Sequence, residues 1–150
     1  MRAAALLCAL GVGLLAVPSS PSPAHEGATG IVKQRMDDMD TIGRALKRIS
    51  ERVKARRDLG KIEPDAEAIR AAAVRMPSLF PPGSQDGHSD AKPAIWDRWQ
   101  DFLAAARALE EEAGKLGTAA RAGNDAEVAA QVRAVTRACS GCHTPFKAKG

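Results

Sequence analysis

Apolar residues in this chain recur at alternating steps of three and four, which places them on one face of an α-helix. One such series follows Ile31, and others occupy the second half of the sequence. No segment has the alternation of a strand, and the chain has no Tyr and only 3 Phe. A composition rich in Ala, Leu, Val, Arg and Glu favours helices over sheets. The pattern therefore predicts an all-α fold.

The sequence predicts four helices. They run from about Ala28 to about Arg56, from Glu63 to the residue before Pro77, from Pro93 to a break between Gly117 and Gly123, and from Asn124 or Asp125 through Phe146. The stretch between Pro77 and Pro93 contains clusters of Pro, Gly, Ser and Asp, which predict a loop. We expect an antiparallel up-down-up-down four-helix bundle with one long crossing loop.

The first 24 residues have the pattern of a secretory signal. Arg2 precedes an apolar run over residues 3–17, and a Pro/Ser-rich stretch ends in small residues at Ala24. The alternative is a membrane anchor, but the run is shorter than the roughly 20 residues that cross a bilayer. We therefore expect residues 25–150 to form one exported domain, soluble after cleavage. Its only cysteines are Cys139 and Cys142, because Cys8 leaves with the signal.

The net charge of +4 is mild for 150 residues. The chain has no long basic run and no aromatic residues interleaved with basic ones, as nucleic-acid surfaces have. We therefore expect no nucleic-acid partner.

Cys139, Cys142 and His143 form a C-x-x-C-H motif in the fourth predicted helix. Residues three and four apart share a helix face, so both thiols and the imidazole project into one groove. This motif is typical of haem attachment, in which the thiols add to two vinyl groups and the histidine ligates iron. A thioredoxin-type redox pair would follow a strand, and a zinc site would need a second ligand pair. The motif predicts one covalent haem c held by two thioethers.

The first helix supplies two further candidates on its buried face. Met39 carries a soft thioether that suits a second axial iron ligand, although methionine on a helix stripe also serves as core filler. Arg35 lies one turn earlier, where we expect its guanidinium to bind a haem propionate or to extend to the surface. Met36 and Met76 are expected only to pack, and Asp40 to lie on a solvated face.

Three stretches resemble the class II cytochromes c across essentially the whole mature chain. They are the C-terminal CSGCHTPFK, the early VKQRMDDMDTIG and the middle LFPPGSQDGHSDAKPAIWDRWQDF. The resemblance implies an exported four-helix bundle with one covalent haem near the C-terminus. It matches Cys139 and Cys142 with the thioether positions, His143 with the proximal ligand, Arg35 with a common basic residue, Met39 with the distal position and Lys147 with a basic residue one turn after the histidine.

The family has two branches, cytochromes c′ with an open distal position and low-spin cytochromes c-556 with a distal Met. The FPPGS and PAIW segments are more similar to the low-spin branch. We therefore expect a periplasmic one-electron carrier with His/Met ligation, which meets transient redox partners and is not an enzyme. The alternative is a five-coordinate haem protein that binds nitric oxide or carbon monoxide. A peroxidase is disfavoured because the distal side expected from Met39 and Arg35 offers no evident proton-transferring histidine or carboxylate pair.

Two further expectations concern the surface and the last helical turn. Related bundles dimerise through their first two helices, so a homodimer is possible, and Lys147 and Lys149 are candidates to orient an acidic partner. Pro145 stands where the family usually keeps a helix-compatible residue. Because proline lacks an amide N–H, the last turn is expected to kink or to end early.

Overall fold

The computed structural model describes residues 28–85 and 88–148 of the 150-residue chain. Its helices are α1 (Gly30–Ala55), α2 (Glu63–Arg75), the single-turn α3 (Ala94–Asp97), α4 (Trp99–Arg121) and α5 (Asp125–Phe146). Short 3₁₀ turns cover Leu59–Ile62 and Met76–Leu79. These described ranges contain no strand, only an isolated bridge between Ala91 and Lys147. The predicted four-helix bundle is confirmed, and the predicted signal at residues 1–24 lies outside the described residues.

Helix α1 follows the predicted apolar spacing and ends at the connection that leads into α2. Ile42, Ala45 and Ile49 face the core, at steps of three and four. The helix stops at Arg56, whose backbone adopts the left-handed conformation (φ 48°) and donates its N–H to the carbonyls of Arg52 and Val53. The connection to α2 is short, so the two helices pack as antiparallel neighbours.

Helices α2 and α4 pack against each other through fully buried side chains. Pro64 occupies the first turn of α2, where its missing N–H costs nothing. Ile69 of α2 and Leu116 of α4 are fully buried. A Cβ added at Gly117 would lie 3.7 Å from the Cβ of Ala66, which is an ordinary van der Waals distance, so the two helices are in close contact at this point.

The third predicted helix is divided in two. Arg98 leaves the helical conformation (φ −124°, ψ 48°) and separates α3 from α4. Just before this break, the Trp96 indole N–H donates to the carbonyls of Phe80 (3.1 Å) and Pro81 (3.0 Å). Trp96 thus fastens the long loop to the bundle.

Helix α5 begins and ends close to its predicted limits. The Asn124 side chain accepts a hydrogen bond from the Glu127 N–H at 3.1 Å, as an N-cap does. At the other end the helix continues through Pro145 and stops at Phe146, one residue later. The described part of the chain holds no helix long and apolar enough to cross a membrane.

Candidate haem site

A cavity of about 400 Å³ opens between α1, α4, α5 and the loop that precedes α3. Its α4 wall includes the buried side chains Phe102, Ala106 and Leu109. Most of the lining is apolar, which suits a large planar ligand that must be kept from water. The volume lies in the range of small-molecule and cofactor sites, about 300–1,000 Å³.

The α5 wall of this cavity carries the C-x-x-C-H motif. Cys139 and Cys142 are free, half-buried thiols, and His143 stands at the edge with an exposed side chain. Their positions on one helix face follow from the predicted spacing of three and four. The structure therefore brings together the three residues that the motif singled out.

The protein environment keeps these groups uncharged. Burial raises the pKa of Cys139, and burial together with the neighbouring Cys139 raises the pKa of Cys142 to about 11. Partial burial of the ring, and secondly the positive charge of Lys147, lowers the pKa of His143. The imidazole is therefore mostly neutral at pH 7, and the neutral form is the one that can ligate a metal.

The facing wall comes from α1 and includes both residues proposed from the sequence. Met39 is half-buried in the middle of this wall, with Gly43 one turn later and Leu46 beyond it. A Cβ built on Gly43 meets no protein atom within 4 Å, so space remains beside Met39. Met39 thus lies across the cavity from the helix that carries His143.

Arg35 lines the cavity but does not extend to the surface, contrary to one of the two expectations. Only 4% of it is exposed. Its Nε donates to the Leu79 carbonyl at 2.5 Å, and its terminal nitrogens donate to the carbonyl (2.9 Å) and hydroxyl of Ser84. The guanidinium carbon also lies 4.2 Å from the centre of the Phe80 ring. Arg35 therefore ties α1 to the loop that covers one end of the cavity.

Four cavity residues were not predicted to lie at this site. Met36 and Met76 both line the cavity, although both were expected only to pack. His88, which the sequence places in the loop, also lines the cavity. Asp40 was expected on a solvated face; it is exposed but also stands among the lining residues. His88 lies in a Gly/Ser-rich loop, whose course no periodic pattern predicts, so no sequence signal could have found it.

These residues fit a covalently attached haem. Two thiols and a neutral imidazole line an apolar cavity, and the α1 wall of the same cavity includes Gly43, which has no side chain. The sequence model of the family described as Cytochrome C' matches residues 30–147. The chain belongs to the cytochrome c′ family. Membership implies a covalently bound c-type haem.

Cytochrome c′ of Rhodospirillum rubrum is 28% identical over 152 residues, which cover 99% of this chain and 97% of the relative. Cytochrome c-556 of Agrobacterium tumefaciens strain B2A is 31% identical over 127 residues, covering 80% and 98%. Among solved structures, a nitric oxide complex of a cytochrome c prime mutant from Alcaligenes xylosoxidans matches with a TM-score of 0.73 and 26% identity, over 80% of this chain and 94% of that one. The similarity thus extends to relatives from both branches.

Proposed function

We propose that the mature chain, residues 25–150, is a periplasmic protein that binds one haem c in this cavity. Cys139 and Cys142 would hold the haem through two thioethers, each formed by addition of one S–H across one vinyl group, which needs no oxidant. His143 would ligate the haem iron as its proximal ligand. The observation that carries this proposal is that all three side chains of the motif border one apolar cavity.

We further propose that the haem binds nitric oxide or carbon monoxide at an open distal position. When bound, the haem iron supplies the coordination site for such a molecule. The central α1 wall, formed by Met39, Gly43 and Leu46, offers no strong hydrogen-bond donor, and Gly43 contributes no side chain to it. Distal polarity and access decide between gas binding, activation and electron transfer, and this wall suits binding. The family match and the nitric oxide complex of the relative also favour this function over the electron carrier preferred from sequence.

A second candidate is the one-electron carrier with His143 and Met39 as axial ligands. It is favoured by the central place of Met39 on the wall that faces α5, and by the similarity to a cytochrome c-556. Two fixed ligands would let the iron change oxidation state with little rearrangement of the protein. This function would require transient contact with a redox partner protein and no substrate at the metal.

Absorption spectra of the purified protein in both oxidation states test these proposals. A high-spin ferric spectrum and carbon monoxide binding are expected for the gas-binding protein. A low-spin spectrum that does not change when carbon monoxide is added at neutral pH would instead support the carrier. A colourless protein with two free thiols, exported from a host that matures cytochromes c, would refute haem attachment altogether.

The variant Met39→Leu sharpens this test, because leucine cannot ligate iron. The gas-binding proposal predicts that the variant remains high-spin, whereas the carrier would become high-spin and begin to bind carbon monoxide. Met76→Leu is the matched control, since Met76 also lines the cavity but comes from the turn after α2. It should leave the spin state unchanged under either proposal.

A further inference from the structure

The last turn of α5, which carries His143, has fewer hydrogen bonds within the helix than an ordinary helix end. The final four carbonyls of a helix lack partners within the helix. Pro145 adds to this deficit, because it has no N–H to donate to the Gly141 carbonyl. Such a turn needs partners from elsewhere in the chain if it is to hold a side chain in one orientation.

These partners come from a short segment before α3, residues 90–92, which we call the strap. The Lys92 N–H donates to the Phe146 carbonyl at 2.9 Å, and the Lys92 ammonium donates to the Thr144 carbonyl at 3.3 Å. In the opposite direction, the Ala148 N–H donates to the Asp90 carbonyl at 2.7 Å. The strap therefore lies antiparallel to the end of α5 and supplies donors to two of its carbonyls.

Lys92 has properties that fit this position. It precedes Pro93, which disfavours a helical backbone at Lys92 and keeps the strap extended. Its ammonium places a positive charge at the C-terminal end of a helix, where the helix dipole favours cations. The Asp90 carboxylate adds an ion pair with Lys147 at 2.9 Å, but both side chains are about half exposed, so this pair contributes little.

We propose that Lys92 is a positioning residue for the proximal ligand: by capping the carbonyls of Thr144 and Phe146 it fixes the turn that presents His143 to the cavity. This rests on the proposed role of His143 as iron ligand. The Thr144 carbonyl follows His143 directly along the chain, and the His143 carbonyl itself accepts from the Lys147 N–H at 2.9 Å. Loosening the cap should therefore let the histidine ring change its orientation.

The test uses haem-loaded protein with Lys92→Met, which keeps a side chain of similar length and removes the ammonium donor to the Thr144 carbonyl, while the backbone N–H donor to Phe146 remains. Lys92→Arg is the conservative rescue, and Lys115→Met is the control, because Lys115 pairs with Glu112 on the exposed face of α4. Two quantities are measured: the hydrogen exchange rate of the Lys147 amide and the iron-shifted proton NMR signals of the His143 ring. The ring signals depend on ring orientation and do not respond to overall stability alone.

We expect Lys92→Met to speed exchange at Lys147 about five- to tenfold, the effect of one hydrogen bond, and to move the His143 ring signals. Lys92→Arg should restore both, and Lys115→Met should match the unaltered protein. Unchanged ring signals, with or without faster exchange, would overturn the positioning role. A pyridine haemochrome assay separates this outcome from failure of the proposed function, since it shows whether haem is attached at all.

Discussion

The two halves of the bundle differ in how completely the protein fills its own interior. Between α2 and α4, Ile62, Ile69 and Leu116 have no exposed surface. Between α1 and α5, Met39, Cys139 and Cys142 stay half-buried around the cavity. Side chains alone fill the interior of the first half, whereas the second half needs a large apolar group to fill its cavity. The predictions below test this difference, starting with the largest expected effect.

Removing both thiols should abolish the covalent link between the protein and its haem. In Cys139→Ala/Cys142→Ala, no thioether can form, so haem staining after denaturing electrophoresis should disappear completely. Ser140→Ala, which changes an exposed residue between the two cysteines, should retain the stain. Staining that persists in the double variant would contradict the attachment sites.

Shortening a leucine should have different effects in the two halves. Leu116→Ala leaves a cavity in the closed half and should lower the free energy of unfolding by about 2–5 kcal/mol, without changing the haem absorption spectrum. Leu46→Ala alters the wall of the haem cavity, so it should shift the spectrum or carbon monoxide affinity while costing less stability. Denaturant titration and absorption spectroscopy on both variants provide the comparison. Equal spectral changes would remove the distinction between the halves.

Arg35 ties α1 to the loop that covers one end of the cavity, so its replacement should lower the stability of the protein. Arg35→Met would leave the carbonyls of Leu79 and Ser84 without their donor, so we expect a loss of about 1.5–3 kcal/mol in the free energy of unfolding. Arg35→Lys should not restore it, because an ammonium cannot reproduce the planar fork of a guanidinium. Thermal unfolding measures the effect, and full stability in Arg35→Lys would argue against the forked contact.

The smallest effect is expected at the start of α5, far along the helix from the cavity. Asn124→Ala removes the side-chain acceptor for the Glu127 N–H and should cost about 1 kcal/mol, as loss of an N-cap does. Asn124→Ser keeps an acceptor and should behave like the unaltered protein in thermal unfolding. A haem spectrum that changes in Asn124→Ala would show that the two ends of α5 are coupled.

Most of the fold could be predicted from helix periodicity, because this pattern depends only on residues that are close in sequence. The spacing from Ile42 to Ile49 and the N-cap at Asn124 both identify a helix from a few neighbouring residues. The break at Arg98 was missed because the apolar pattern continues across it. That break accompanies the contact of Trp96 with the Phe80 and Pro81 carbonyls, which are 15 or more residues away in sequence.

The candidate site also has a part that the sequence predicts and a part that it does not. The motif residues Cys139, Cys142 and His143 could be found because their spacing on one helix fixes their common direction. The partners of Arg35 could not be found, since they belong to a loop more than 40 residues distant in sequence. His88 and the strap around Lys92 escaped prediction for the same reason, because loop courses depend on tertiary contacts.

The two tryptophans of the chain give the molecule a built-in optical signal. Trp96 lies with its ring centre 6.2 Å from that of Phe80, and Trp99 lies 5.5 Å from Phe102. Both phenylalanines line the cavity, so a single ring separates each indole from the space that a porphyrin would occupy. Energy transfer to such a chromophore would suppress indole fluorescence in the intact protein. Emission should therefore return as the bundle opens, which makes unfolding measurable without any added label.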